Sequence, residues 1–141
     1  GTGTMATIKG GCVCGKVTYS GTAEPIFAGI CHCKTCQKAS GTAFNTVVAV
    51  PADAIKISGQ VTQFDGVGDS GKATHRCFCP SCGTSVAQSA DVMPGVLMLT
   101  VGTLEDSSWV KPAMQIYCDS AQPWAVLPGM QAFPKMPMPP G

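Results

Sequence analysis

The chain has 141 residues and a formal net charge of +1, with 12% charged and 45% hydrophobic residues. This length suits one domain with a moderate core, and the composition is not that of a disordered chain. A net charge near zero gives no electrostatic support for binding to nucleic acid or a membrane surface, and no apolar run approaches the roughly 20 residues of a membrane span.

Short segments with alternating polarity and many β-branched residues predict a mainly β fold, because turn residues separate them about every ten positions. The predicted strands are Thr7–Lys9, Lys16–Ser20, Ile26–Ile30, Thr46–Val50, Ile55–Ser58, Val61–Asp65, Thr74–Phe78, Ser85–Gln88, Val96–Val101 and Met114–Tyr117. One helical turn is predicted over Lys34–Ala39. Gly59 and Gln60 are predicted to form the turn of a hairpin between Ile55–Ser58 and Val61–Asp65.

A single domain is predicted over residues 5–133. Gly1–Thr4 have the composition of a cloning remnant, so Met5 is the expected native start. The start lacks a basic segment followed by an apolar one, so no secretory signal is expected. Residues 134–141 contain four prolines and predict an extended C-terminal tail.

Seven of the nine cysteines lie in three short clusters within the first 82 residues. The clusters are Cys12 with Cys14, then Cys31 with Cys33 and Cys36, then Cys79 with Cys82. Metals use the CxC and CxxC spacings, whereas the odd cysteine count and the lack of an export signal argue against a disulfide framework. Reduced thiols in turn predict a cytoplasmic protein.

The two outer pairs together supply the four thiolates of a closed tetrahedral zinc site. Its ligands would be Cys12, Cys14, Cys79 and Cys82. Such a site would clamp the N-terminal hairpin to the middle of the chain and would supply on the order of 10 kcal/mol of folding free energy. Its expected role is stability and not chemistry.

The middle cluster, Cys31, Cys33 and Cys36, leaves a fourth zinc position for solvent or substrate, which is typical of a catalytic site. Three thiolates on Zn²⁺ give a net charge of −1, which weakens its Lewis acidity and favours a soft sulfur substrate over attack by water. An alternative remains open, since Cys77 or Cys118 could complete this site as a fourth ligand and make both zinc ions structural. Cys77 could also serve as an alternative ligand at the closed site.

Three further polar residues lie near the clusters in sequence. His32 and His75 are interpreted as packing or surface residues, although histidine is the usual proton carrier at neutral pH. Arg76 could bind a substrate carboxylate, but an ordinary solvated arginine is the default interpretation.

The strings GGCVCGKVTY (residues 10–19), CHCKTCQ (31–37) and RCFCPSCG (76–83) resemble the glutathione-dependent formaldehyde-activating enzyme family, which includes centromere protein V-like members. The segment VGTLED (101–106) looks like the family's Gly-Thr-Leu-Asp-Asp segment, with Glu105 where Asp is usual. The similarity extends from Ile8 to Phe133.

The resemblance implies a β-tent of stacked antiparallel sheets built around zinc sites. It also implies two zinc ions per chain. One would be structural and bound by Cys12, Cys14, Cys79 and Cys82, and the other would be catalytic and bound by Cys31, Cys33 and Cys36. The family's named activity, classed as a carbon–sulfur lyase, joins glutathione to formaldehyde and gives S-hydroxymethylglutathione.

The leading hypothesis is therefore a zinc-dependent carbon–sulfur lyase with a small-molecule thiol, such as glutathione, as its partner. The alternative is a non-enzymatic, zinc-stabilised scaffold or protein-interaction module, as centromere protein V suggests. A basic or low-complexity extension would favour that alternative, and the chain has neither. A third hypothesis is sensing of formaldehyde or thiols through loss of the labile metal.

Overall fold

The chain forms eleven strands, one α-helix and three short 3₁₀ turns in the computed structural model, which describes residues 4–137. The strands are β1 (Ala6–Gly11), β2 (Thr18–Ala23), β3 (Phe27–Cys31), β4 (Asn45–Pro51), β5 (Ile55–Ser58), β6 (Thr62–Val67), β7 (Ala73–Phe78), β8 (Ser85–Ala90), β9 (Val96–Thr100), β10 (Met114–Ile116) and β11 (Gln131–Ala132). Helix α1 spans Lys34–Ser40, and the 3₁₀ turns span Ala52–Ala54, Val101–Thr103 and Cys118–Ser120. All ten predicted strands and the predicted helical turn are confirmed.

The strands form two stacked sheets, which confirms the predicted fold class. The smaller sheet has the order β1-β2-β5, and the larger has the order β11-β10-β3-β4-β9-β8-β7-β6. The pairings are antiparallel, as predicted, except that β10 runs parallel to both β3 and β11. The β3–β10 pairing brings a distant part of the chain beside Cys31.

The main hydrophobic core lies between the two sheets. Ile8 and Tyr19 of the small sheet belong to the same buried cluster as Val48, Val50 and Leu99 of the large sheet. Burying a side chain of this size contributes about 1.5–3 kcal/mol. These contacts hold the small sheet, and the first cysteine pair that follows β1, against the large sheet.

The predicted hairpin around Gly59 and Gln60 is wrong. Strand β5 pairs with β2 in the small sheet, whereas β6 pairs with β7 in the large sheet. Gly59 has a φ of +97°, and a Cβ at this position would overlap the carbonyl oxygen of Lys16. Glycine permits both this left-handed backbone and the close approach. The segment is therefore a crossover between the sheets.

The described beginning of the predicted tail contacts the segment after β10. The backbone N–H of Tyr117 donates to the carbonyl oxygen of Lys135 at 3.2 Å, and that of Asp119 donates to Pro134 at 3.2 Å. The Lys135 ammonium lies 2.8 Å from the Asp119 carboxylate. Residues 138–141 of the predicted tail, and residues 1–3 of the predicted remnant, lie outside the described part of the chain.

Within residues 4–137, no helix has the length and apolar character needed to cross a bilayer.

Candidate metal centres

The first and third cysteine pairs converge on one cluster of four thiols, here called the closed cluster. The Sγ atoms of Cys12, Cys14, Cys79 and Cys82 all lie within 4.8 Å of one another. The distance from Cys14 Sγ is 3.6 Å to Cys12 Sγ and 3.7 Å to Cys79 Sγ. Zn–S bonds of about 2.3 Å in a tetrahedron place sulfurs about 3.8 Å apart. The donor set therefore fits a zinc ion in number, chemistry and spacing.

Two tight turns, one after β1 and one after β7, position the four sulfurs of the closed cluster. The backbone N–H of Gly83 donates to the Cys79 carbonyl oxygen at 2.8 Å, and Gly83 has a φ of +78°. This confirms the left-handed turn predicted after the CxxC pair. In the other turn, the backbone N–H of Val17 donates to Cys12 Sγ at 3.3 Å. Donors of this kind favour the thiolate form that a metal requires.

The closed cluster links the core to the surface and one sheet to the other. Cys12 and Cys79 are buried members of the main core, whereas Cys14 and Cys82 are exposed. The Thr84 hydroxyl lies 3.2 Å from Cys82 Sγ, and hydrogen bonds from this hydroxyl and from the Thr84 backbone lower the pKa of Cys82 to about 5. Because the cluster joins the β1–β2 turn to the β7–β8 turn, a metal bound there would hold the two sheets together.

The remaining three clustered cysteines form a second group, here called the open cluster. The Sγ atoms of Cys31, Cys33 and Cys36 lie within 4.8 Å of one another. Cys31 ends β3, and Cys33 is the N-cap of α1, where its sulfur accepts the Cys36 backbone N–H at 3.3 Å. Hydrogen bonds from Cys31, and then from Cys36, lower the pKa of Cys33 to about 2. Three sulfurs this close together suit a divalent ion, which binds thiolates and releases their protons.

Cys77 and Cys118, the two thiols considered as extra ligands, belong to neither cluster. Cys77 Sγ lies 4.0 Å from the Gln63 side-chain oxygen, and Cys118 Sγ lies 3.6 Å from the Gln115 carbonyl oxygen. Among the described residues, no further Cys, His, Asp or Glu joins the open cluster within the same distance limit. All nine cysteines are free of disulfides.

His32 points away from the open cluster, as expected for a residue between two ligands. Its side chain is fully buried, and its Nε2 lies 3.0 Å from the side-chain oxygen of Gln115 on β10. The ring also packs edge-on against Phe44, with centroids 5.3 Å apart. Gln115 in turn donates to the Leu127 carbonyl oxygen at 2.7 Å. His32 is therefore a packing residue that anchors the open cluster from behind.

A second glutamine ties helix α1 to the same support. The Gln37 side-chain amide donates to the carbonyl oxygens of His32 at 2.7 Å and Ser120 at 3.0 Å. Its own oxygen accepts from the Gln122 amide at 2.9 Å. The backbone next to the open cluster is thus held by the buried Gln37, which the partly buried Gln122 from the C-terminal third of the chain supports in turn.

Arg76 contacts the open cluster and is not an ordinary solvated arginine. Its Nη2 lies 3.7 Å from Cys36 Sγ, and its Nη1 donates to the Gln88 side-chain oxygen at 2.8 Å. The same Gln88 oxygen accepts from the Asn45 side-chain amide at 3.3 Å, and Asn45 pairs with Cys31 between β3 and β4. Since β4, β9 and β8 separate β3 from β7, the large sheet must curve strongly to close this ring of contacts.

Tyr117 adds a second contact across the curved sheet. It follows β10, whose Ile116 pairs with Cys31, and its φ of 55° is the only positive non-glycine φ in residues 4–137. Its hydroxyl donates to the Asp69 carboxylate at 2.7 Å, in the loop between β6 and β7. Burial, followed by the hydrogen bond to Asp69 and the charge of that carboxylate, raises the pKa of Tyr117. Strained backbone of this kind is often found at functional sites.

His75 lies on β7 next to Arg76 but makes different contacts. Its Nδ1 is 2.7 Å from the Asp65 carboxylate, and its Nε2 is 2.8 Å from that of Asp91. Both contacts raise the pKa of His75, that of Asp65 more strongly. Successive residues of a strand face opposite sides. His75 is therefore a partly exposed ion-pair residue on the other face of β7 and not part of the open cluster.

The structure brings together all seven metal-ligand residues predicted from the sequence in the predicted four-plus-three grouping. It also places Arg76, which the sequence left as a solvated arginine by default, against Cys36, and it adds Gln115 and Tyr117. The string of residues 76–83 contains Arg76, but nothing in it indicates a contact with Cys36. That contact depends on the order and curvature of eight strands.

Comparison with known proteins agrees with this arrangement. A crystal structure of a protein from Rhodobacter sphaeroides superimposes with a TM-score of 0.56 at 17% sequence identity, over 89% of this chain and 98% of that one. This similarity supports the fold alone. No functionally curated protein matches the chain at a significant level. The sequence profile of the glutathione-dependent formaldehyde-activating enzymes matches residues 7–120, a stretch that contains every cysteine of both clusters. The chain therefore belongs to the glutathione-dependent formaldehyde-activating enzyme family.

Proposed function

We propose that the protein is a zinc-dependent carbon–sulfur lyase that acts on a thiol adduct at the open cluster, with one structural and one catalytic zinc ion per chain. The substrate pair is glutathione and formaldehyde, and the adduct is S-hydroxymethylglutathione. One observation carries the proposal: three thiols converge apart from a complete set of four, and no fourth ligand joins them within the described residues. The family membership supports the thiol and the aldehyde at the level of the family.

Cys31, Cys33 and Cys36 would hold the catalytic ion, and the open side of their cluster would receive the thiol. Zinc bound there would supply a Lewis acid that lowers the pKa of a thiol in its fourth position. Cys36 is buried, whereas Cys31 and Cys33 are partly exposed, so substrate would approach from the side of those two residues. His32 lies between Cys31 and Cys33 in sequence, and its contact with Gln115 at 3.0 Å would help to hold these two ligands in place.

The chemistry needs no oxidant or reductant. In the addition direction, the thiol sulfur forms a bond to the carbonyl carbon of formaldehyde, and the π-electron pair of the carbonyl moves to its oxygen. The proton released by the thiol goes to solvent, and that oxygen takes up a proton from solvent. Cleavage is the reverse. A reducing compartment such as the cytoplasm suits nine cysteines that are free of disulfides.

The test is the rate of exchange between glutathione, formaldehyde and their adduct, measured by NMR at equilibrium and compared with the uncatalysed rate. Wild-type protein is expected to accelerate the exchange. Cys33→Ser is expected to reduce it to the uncatalysed rate while far-UV circular dichroism stays unchanged. Cys118→Ser is the matched control, because that thiol is outside both clusters, and it should retain activity. The proposal is wrong if Cys33→Ser remains active or if two-zinc wild-type protein gives no acceleration.

A further inference from the structure

Two hydrogen-bond partners hold the Arg76 side chain against the open cluster. Its two terminal nitrogens are directed to different partners, the Cys36 sulfur and the Gln88 oxygen. Gln88 is fixed in turn by the buried Asn45, a direct neighbour of Cys31 in the sheet. The guanidinium therefore keeps a defined position relative to the sulfurs, because it contacts Cys36 of α1 and Gln88 of β8, and Asn45 of β4 holds Gln88 in turn.

The other cations near the cluster are in a different environment. Lys34 and Lys38 lie on α1, in sequence next to the cluster, but both side chains are exposed. Water and salt screen exposed charges strongly, and they screen partly buried ones much less. Arg76 is partly buried and touches a buried sulfur, so its charge acts on the cluster with less screening.

The position of Arg76 changes the net charge at the open cluster. Three thiolates and a Zn²⁺ ion sum to −1, and a thiolate in the fourth position would bring the sum to −2. Arg76 raises these sums to 0 and −1. A neutral fourth ligand adds no charge, so its affinity does not depend on this compensation.

We infer that Arg76 is the counter-charge of the open cluster and that it sets a preference for an anionic sulfur ligand, a thiolate, over neutral ligands in the fourth position. This deepens the proposed function and rests on it for the identity of the site. In this role Arg76 is a positioning and specificity residue. The thiol binds with loss of its proton to solvent, and the guanidinium offsets the charge that the sulfur then carries.

The test is ligand binding to protein whose metal sites are loaded with Co²⁺, followed by the visible and sulfur charge-transfer absorption of the ion. The anionic probe is 2-mercaptoethanol, which carries no charge besides its thiolate, and the neutral probe is imidazole. Arg76→Gln is expected to weaken 2-mercaptoethanol binding about tenfold and to leave imidazole binding unchanged. Arg76→Lys is expected to restore most of the thiol affinity. Lys38→Met, which removes an exposed charge from α1, should bind both probes like wild type.

Several outcomes would overturn the inference. One is unchanged thiol affinity in Arg76→Gln, and another is an equal loss for both probes, which would show a structural role. Failure of Arg76→Lys to restore thiol binding, in protein with wild-type circular dichroism, would reject charge as the cause. The titration needs no turnover. A wild-type protein that binds the thiol through Arg76 but does not accelerate the glutathione reaction would therefore overturn the proposed function and support this inference.

Discussion

The two cysteine clusters use the same ligand but are supported in different ways. The closed cluster is formed by two tight turns, with two sulfurs in the core, and it joins the two sheets. The open cluster lies where β3 meets α1, on one sheet, and distant polar side chains hold it from behind and from the side. We propose from this difference that the closed cluster stabilises the fold, whereas the fold positions the three sulfurs of the open cluster.

The largest expected effect comes from breaking the closed cluster. Cys79→Ser removes a buried sulfur from it and with that the metal that would hold the sheets together. Structural zinc sites supply on the order of 10 kcal/mol, which is comparable to the whole stability of a domain. The variant should be largely unfolded by circular dichroism and should lack the tightly bound zinc.

Cys77→Ser is the matched control for this variant. It changes a thiol two residues away that belongs to neither cluster, so unfolding free energy should fall by about 1 kcal/mol or less. Equal destabilisation by both substitutions would contradict the assignment of the closed cluster as a clamp.

A smaller effect is expected from the support behind the open cluster. Gln115→Leu would leave buried polar groups of His32 and Leu127 without their partners. Each unsatisfied buried group costs about 1–3 kcal/mol, so urea unfolding should show a loss of about 2–4 kcal/mol. The same variant should release metal faster from the open cluster than from the closed one.

Gln60→Leu is the control for this variant. It changes an exposed glutamine and should alter the unfolding free energy by less than about 0.5 kcal/mol. If Gln60→Leu lowers the unfolding free energy as much as Gln115→Leu does, the buried hydrogen bonds of Gln115 do not stabilise the open cluster.

The smallest effect concerns the histidine beside Arg76 on β7. Its carboxylate partners, Asp65 and Asp91, raise the pKa of His75 in the folded state. The resulting stabilisation is fully present below the unfolded pKa of about 6.5 and is lost as pH rises through the raised folded value. The effect of pH on the Asp65 carboxylate is opposite. The hydrogen bond to His75 lowers the pKa of Asp65 in the folded state, so the stabilisation from this carboxylate is lost as pH falls through its lowered folded pKa.

Urea midpoints measured across pH 5–9 should therefore decline slightly more for wild type than for His75→Gln. Both proteins should retain the same metal content, because His75 faces away from the cluster that Arg76 contacts. A loss of metal from His75→Gln would show that the two faces of β7 are not independent.

The two cysteine clusters could be predicted from the sequence because the spacing within each pair or triplet is local. A CxC or CxxC pair already places two sulfurs on one side of a turn, and counting to four then separates the closed set from the open one. The turn at Gly83 was predictable for the same reason. Strand positions followed from alternation, although the two-residue β11 is too short to show any.

Long-range pairing could not be predicted in this way. The Gly59 segment reads as a hairpin turn, yet its close approach to Lys16 directs the chain to the other sheet. Arg76 reaches Cys36, 40 residues away, only because the eight-stranded sheet curves, and Gln115 reaches His32, 83 residues away, through a parallel pairing. No local pattern encodes these partners, since each depends on strand order.

The most direct test of the contrast between the clusters is stepwise zinc release to a chelator of moderate affinity, followed together with far-UV circular dichroism. Two zinc ions per chain are expected. The first should be released early while the fold is retained, and it should be absent from Cys33→Ser. The second should be released only as the protein unfolds. A single zinc ion per chain, or two that leave together on unfolding, would contradict the division into a structural and a catalytic centre.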